Sequence, residues 1–373
     1  MNKVIVFADA RSRISLREKS TLARHSEYIS ELRKIHGFEE AKLLVLQPSL
    51  SPFKSETMEL TNITIVRLSL LRLLNVKKYF AINELHILLI VSGDPWESFF
   101  FSLILNVLVG RKAPTQVQIH SELSKAWSDQ RLLNRLRTNF AGFALRKATN
   151  VRAVSIEQRD YIVDKYRLDK RKTVVVPVQF NNAEALVEKE SKIKPLTIGF
   201  IGRVHKERNI ERFVEITSYL MSKDKNLKLV IATIGEMDSQ EGSYFSRIPA
   251  ERITKLENLP PEKLHVFWEK VGVLLSTSQS ESFGRSIREA IVNGVPVMAQ
   301  NSMGARELKR ECNESVELFY NDDSLESLLK TYNSLHQKVV PNDYKELLKS
   351  KNERVPIDIA ESWQKTADIF HIR

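Results

Sequence analysis

The chain has 373 residues, 42% of them hydrophobic and 28% charged, a balance that builds a sizeable core and excludes a disordered or fibrous protein. Its formal net charge of +11 favours anionic partners: phosphates, acidic lipid headgroups or nucleic acid. A single cysteine, Cys312, excludes an intrachain disulfide and a cysteine metal cluster, and no uncharged apolar run reaches the roughly 18 residues that a membrane span needs.

In chain order, Val4–Phe7 reads as a strand with no signal-peptide core or cleavage site ahead of it, so a cytoplasmic protein is expected. A polar stretch from Asp9 follows, with Arg11, Arg13 and Arg17, then a helical pattern over Leu22–Lys34. Strand-like runs recur at Lys42–Leu46, His86–Val91, Val117–His120, Val151–Ser155 and Thr173–Val176 between helical stretches, which is βα repetition. Ser98–Val109 is too short to cross a bilayer and is expected as a buried helix. The turn Ser92-Gly93-Asp94-Pro95-Trp96 and the pair His120-Ser121 each end a strand, where open α/β sheets bind ligands. The charged stretch 181–195 reads as a linker, and the strand pattern restarts at Leu196. The expected division is a basic N-terminal domain over 1–180, a second domain over 196–355 and a C-terminal helix over 356–373.

The basicity sits in the first domain. Residues 1–180 hold 29 Lys and Arg against 17 Asp and Glu, and the remainder holds 28 against 29. Arg67, Arg72, Lys77 and Lys78, and then Arg131, Arg135, Arg137, Arg146 and Lys147, are interleaved with Leu, Tyr and Phe. This suits a basic amphipathic surface that anionic lipid attracts at about 1 kcal/mol per cation; cations that merely solvate helix faces give the same pattern. No zinc-finger spacing or RNA-recognition aromatic block accompanies the charge, so nucleic acid has only a non-specific claim.

Two blocks in the second half carry chemistry. In Val271–Val297 an apolar strand is followed by a loop holding Glu281 and Gly284, a helix ended by Asn293-Gly294, and another strand. On one helix, Glu281 and Glu289 would stand about 12 Å apart, beyond the roughly 5 to 9.5 Å of an acid and base pair at one glycosidic bond. They suit different parts of a long ligand, with a phosphate at the helix start between them. The alternative is that Glu281 favours a helix N-terminus and Glu289 is a solvated helix residue. The other block, Ile198-Gly-Phe-Ile-Gly202-Arg203 followed by Arg208-Asn209, puts two guanidinium groups near a strand end, with diphosphate as the obvious counter-charge. A surface turn with scattered cations is the alternative.

Together these blocks resemble the signature of glycosyltransferase family 4: Glu281, seven residues, Glu289, then Ala290, Gly294, Pro296 and Val297, preceded by a strand-Gly-Arg turn at Gly202-Arg203. The resemblance implies an α/β protein of the GT-B fold, two doubly wound Rossmann-like domains with the active site in the cleft between them. It also implies a last helix, Ile357–Ile372, that crosses back to the first domain. The implied activity is retaining transfer of a sugar from a nucleotide diphosphate sugar to a hydroxyl of a glycan or lipid-linked acceptor. In cell-surface polysaccharide or glycolipid assembly, the first domain would lie peripherally on the inner membrane face.

The resemblance also assigns roles. Arg203 and Arg208, with the helix start, stabilise the departing diphosphate; Glu281 orients the sugar; Glu289 accepts from the ribose hydroxyls. Gly202 allows the close approach at the strand end, and Ser282, Phe283 and Gly284 present backbone N–H groups. His120 supports the sugar from the other domain, and Asp94 lies where the acceptor cleft is expected, though either also fits a structural turn. The family usually has Lys at position 208 and Gly at 209; Arg keeps the charge and Asn tolerates a left-handed backbone. The usual Gly-Gly turn after the first strand is missing, and Arg11, Arg13 or Arg17 replaces it or meets an acidic acceptor, unless the segment is simply a polar loop. No Asp-x-Asp pattern appears in a suitable turn, so neither a metal nor a cofactor beside the donor is expected. A non-catalytic nucleotide-sugar-binding or partner scaffold and a nucleotide-sugar epimerase remain the other readings.

Overall fold

A computed structural model describes residues 2–10, 19–48, 56–59, 61–110, 113–124, 128–129, 132–180, 196–204, 208–233 and 243–371. Arg11, Arg13 and Arg17, and the expected linker 181–195, lie outside the described residues. The chain divides into two compact units, Met1–Pro177 with Arg354–Arg373, and Val178–Glu353.

Unit 1 is built on eight strands: β1 (Asn2–Ala8), β2 (Lys42–Pro48), β3 (Glu56–Glu59), β4 (Ile63–Leu68), β5 (Leu85–Ser92), β6 (Thr115–Ile119), β7 (Asn150–Ala153) and β8 (Thr173–Val175). Their order is β3-β4-β2-β1-β5-β6-β7-β8, and β3 alone runs antiparallel, at the edge. Its helices are α1 (Lys19–Arg33), α2 (Leu70–Leu74), α3 (Val76–Ile82), α4 (Glu97–Val109), α5 (Leu132–Lys147) and α6 (Ile156–Tyr166). Apolar runs such as Leu43-Leu-Val-Leu46 form strands buried on both faces, as a helix-covered parallel sheet requires. The two-residue period divides them between two cores: Ile5, Phe7, Leu43 and Val45 pack with Ile29 and Leu32 of α1. Val4, Val6, Leu44 and Leu46 pack on the opposite face with Phe80 of α3 and Phe101 and Leu105 of α4.

Unit 2 holds β9 (Thr197–Ile201), β10 (Lys228–Thr233), β11 (Ile253–Glu257), β12 (Val273–Ser276), β13 (Val297–Gln300) and β14 (Val316–Phe319). Its helices are α7 (Ile210–Lys223), α8 (His265–Trp268), α9 (Arg285–Val292), α10 (Met303–Glu311), α11 (Leu325–His336) and the start of α12 (Asn342–His371). All strands run parallel in the order β11-β10-β9-β12-β13-β14. The chain starts at the centre, winds outward to β11 and returns to the other side of β9. The switch point between β9 and β12 is where such sheets take ligands.

The structure differs from the sequence reading in three places. Helix α12 begins at Asn342, well before the expected Ile357, and runs through Pro356. From Arg354 on it belongs to unit 1, where Trp363 is buried with an edge against Tyr28 and Gln116 Nε2 donates to Ser362 Oγ at 2.6 Å. Strand β6 stops at Ile119, leaving His120 one residue past its end. The third difference is α4, expected as buried. It buries Phe99, Phe101 and Leu105 but exposes Phe100, Ile104 and Val107, because a helix on a sheet has one face to bury and this one is apolar all round. Among the described residues no helix is long and apolar enough to cross a membrane.

Candidate active site

At the C-terminal end of β9 the backbone of Gly202 turns with φ of 128°, a conformation open to glycine and strained for other residues. Its N–H donates to the Ala232 carbonyl at 3.0 Å. Arg203 follows, exposed. The Arg208 guanidinium lies over Gly202, where an added Cβ would meet it at 3.6 to 3.7 Å. Asn209 opens α7 in the left-handed region, φ 49° and ψ 56°, the backbone that its usual glycine counterpart would permit without cost. From β12, Thr277 Oγ1 donates to the Arg208 carbonyl at 2.6 Å, tying the two strand ends together.

The central contact crosses the switch point: Arg208 Nη1 donates to Glu281 Oε1 at 2.5 Å. The side chains are 30% and 18% exposed, so the pair stands at the rim of the sheet with water at hand. Beside it lies a shallow hollow with room for about one water, lined by Phe200, Ile201, Arg208, Ser276, Thr277 and Ser286 among others. Cation, carboxylate and hydroxyls therefore converge at the carboxyl ends of two parallel strands and the head of α9.

The loop Glu281–Gly284 is held from below. Gly284 caps α9 in the left-handed conformation, φ 73° and ψ 63°, and an added Cβ would come within 2.6 Å of Ile287 Cδ1. Gly304, in the first turn of α10, donates its N–H to the Glu281 carbonyl at 2.6 Å. A Cβ on Gly304 would sit 2.5 Å from the Phe283 carbonyl carbon, so backbone meets backbone there. Arg288 of α9 is 2% exposed; it donates to the Phe283 carbonyl, lies 4.0 Å over the Phe283 ring and approaches Glu311 and Glu307 at 3.4 and 3.9 Å. Burial pulls its pKa down and the two carboxylates pull it back up. At the end of α10 the buried Cys312 thiol is pushed up to about 12, by burial and then by Glu311.

Of the residues singled out in the sequence, Gly202, Arg208, Glu281, Ser282, Phe283 and Gly284 come together around this switch point, with Arg203 on its exposed flank. Glu289 lies a turn into α9, buried rather than solvated, with Arg285 Nη2 3.9 Å from its Oε1. Arg288, Gly304 and Thr277 escaped the sequence reading. The position of Arg288 one helical turn before Ile291 and Val292, on the apolar face of α9, is the signal that marks it.

His120 and Asp94 belong to unit 1. His120 is exposed just past β6, its Nε2 3.4 Å from Gln118 Oε1. The surrounding protein mass, then the charges of Arg152, Arg24 and His25, hold its imidazole below the usual range. Arg152 is buried, its guanidinium donating to the Val176 and Pro177 carbonyls and to Gln118 Oε1. Burial brings it to about 10, still protonated at neutral pH. Asp94 is committed to its own turn: Oδ1 accepts from the Trp96 and Ser98 N–H groups at 2.8 and 3.2 Å, and Oδ2 accepts from Ser98 Oγ at 2.5 Å. Those bonds hold the turn that leads into α4, the structural reading that the sequence left open for Asp94. Arg11 and Arg13, the other acceptor-side candidates, lie outside the described residues. Among the described residues no group of three or more His, Cys, Asp or Glu is arranged to hold a metal ion.

Residues 182–335 match the family model described as Glycosyl transferases group 1. A D-inositol 3-phosphate glycosyltransferase of Corynebacterium aurimucosum is 27% identical over 109 residues, which cover 27% of this chain and 26% of that protein. The chain thus spans about a quarter of that relative's length. Among solved structures, a sucrose-phosphate synthase from Thermosynechococcus elongatus superposes with a TM-score of 0.64 at 17% identity, over 100% of this chain and 98% of the other. Anabaena HepE, solved in complex with UDP, superposes with a TM-score of 0.66 at 15% identity, over 100% of both chains. The segment that matches the group 1 glycosyl transferases lies wholly in unit 2, and the chain with its two doubly wound sheets has the GT-B fold of these solved structures.

Proposed function

We propose that the protein is a retaining glycosyltransferase that moves a sugar from a nucleotide diphosphate sugar to a hydroxyl of a glycan or lipid-linked acceptor. The observation that carries this reading is the Arg208–Glu281 pair at the β9/β12 switch point, beside the left-handed Gly284 that opens α9. A diphosphate on Arg208, Arg203 and the head of α9 meets two fixed charges and a positive helix end. These groups oppose the negative charge that grows on the leaving phosphate, commonly the largest catalytic effect at such a site. Donor phosphate competes with Glu281 for Arg208, and the carboxylate so released is at hand to orient the sugar. Glu289 accepts from the ribose hydroxyls, and the backbone N–H groups of Ser282, Phe283 and Gly284 meet donor oxygens.

Supporting this reading, the curated relative is named for glycosyl transfer and HepE was solved with UDP. The acceptor is proposed from the charge of unit 1, and the setting is assembly of a cell-surface polysaccharide or glycolipid on the cytoplasmic face of a membrane. The test is nucleotide diphosphate release from a panel of UDP-, GDP- and ADP-sugars, with and without a lipid extract, for wild type, Glu281→Ala and Arg203→Ala. Release from one donor, stimulated by lipid and lost in both variants, is expected. Donor binding that persists in the variants without any release by the wild type would overturn the catalytic reading in favour of a binding scaffold.

A further inference from the structure

The Glu281–Gly284 loop is gripped at two points, by the Gly304 N–H on the Glu281 carbonyl and by the Arg288 guanidinium on the Phe283 carbonyl. Both grips depend on α10. Gly304 stands in its first turn, and its Glu307 and Glu311 face Arg288. Whatever seats α10 therefore shapes the loop. At the far end of α10, Glu311 reaches in two directions: its Oε2 lies 3.4 Å from Arg288 Nη2, and its Oε1 accepts from Lys351 Nζ of α12 at 2.7 Å.

Lys351 stands on a fixed stretch of α12. The next residue, Asn352, is buried and clasps the main chain of Phe180 twice, accepting from its N–H at 2.8 Å and donating to its carbonyl at 2.9 Å. Leu348, one turn earlier, is buried as well, so the register that presents Lys351 to Glu311 is locked. Charge adds a second argument. Arg288 and Lys351 together balance Glu307 and Glu311, two cations against two carboxylates. Without Lys351, both carboxylates share one guanidinium, and Glu311, held at one oxygen only, regains the rotamer freedom to turn toward water.

We propose that Lys351 is a positioning residue for the Glu281–Gly284 loop, acting through Glu311 and Arg288 from a helix more than 60 residues further along the chain. The inference rests on the nucleotide-sugar reading for its purpose, yet the loop's shape can be followed with no ligand present.

The test is hydrogen exchange of the full chain without ligand, followed by calorimetric titration with UDP. In Lys351→Met, exchange at residues 281–284 and at the Gly304 amide should quicken about three- to fivefold, the change that a half-exposed ion pair supports, and Lys351→Arg should restore it. UDP affinity should weaken by a similar factor. Lys338→Met, which removes an ion pair to Glu317 elsewhere in unit 2, should leave the loop as in wild type. Glu311→Gln should loosen the loop as Lys351→Met does, and the double variant should loosen it no further, because the lysine acts through that carboxylate. Exchange that quickens only around residue 351, or factors that multiply in the double variant, overturns the proposal. A loop loosened by Lys351→Met in a chain that does not bind UDP counts against the donor reading alone; UDP bound by a variant whose loop is unmoved counts against this positioning role alone.

Discussion

The two sheets meet their switch points with opposite chemistry. In unit 2 the ends of β9 and β12 present Arg208, Ser276 and Thr277 around a hollow, with Glu281 paired to Arg208 beside it. In unit 1 the ends of β1 and β5 turn their polar groups on one another. Ser98 Oγ accepts from the Ala10 N–H and donates to Asp94, Asp94 caps α4, and Ser92 Oγ donates to the Asp94 carbonyl. Winding order supplies a place for a ligand, and the residues at the strand ends decide whether it is spent on structure or kept for binding.

Substitutions on the two sides break or sharpen this contrast. The largest effect is expected from Arg208→Ala: under the proposed function, nucleotide release should fall about 10² to 10³-fold, as when one donor to a developing anion is lost. Steady-state release with the identified donor sugar checks it. Next is Arg288→Met, which leaves Glu307 and Glu311 beside a lost cation and should cost about 3 kcal/mol in urea unfolding. Unfolding within about 0.5 kcal/mol of wild type would show that Arg288 does not hold the loop. Gly304→Ala drives a methyl into the Phe283 backbone, and a loss of about 2 kcal/mol together with weaker donor binding in calorimetry is expected. On the unit 1 side, Asp94→Ala removes a helix cap and should cost about 1 kcal/mol, seen as a lower melting temperature.

The smallest effect is on pH. The folded chain holds the His120 imidazole below its reference value of 6.5, so it binds fewer protons than the unfolded chain as pH falls beneath that value. The contribution of this group is complete above the unfolded pKa and is lost as pH drops toward the folded one. Ring-proton NMR should therefore show the His120 resonances still unshifted at pH 6, where an ordinary histidine is mostly protonated.

Much of this contrast is written in local sequence. The strand, loop and helix over 271–297 follow from an apolar run, Gly284 and the Asn293-Gly294 stop, and those signals act over a few residues. The Arg208–Glu281 contact joins residues 73 positions apart and exists only because β12 returns beside β9. Arg288 lies on the apolar face of α9, but its use there appears only once the phenyl ring of Phe283 is placed beneath it. The apolar run 98–109 marks a helix correctly but says nothing about how many of its faces other elements cover. Edge strand β3 pairs antiparallel with β4, and β4 pairs with β2; the sequence Glu56-Thr-Met-Glu59 of β3 lacks the apolar run that announces the other strands.

Cys312 makes unit 2 a one-atom reporter. As the only thiol in the chain, sealed behind the C-terminal turn of α10 and held protonated by its surroundings, it stays silent to an alkylating reagent while that helix is seated. Its labelling rate then counts the openings of the segment whose Gly304 pins the Glu281 loop, and under the proposed function a nucleotide sugar that clamps the loop would slow the clock.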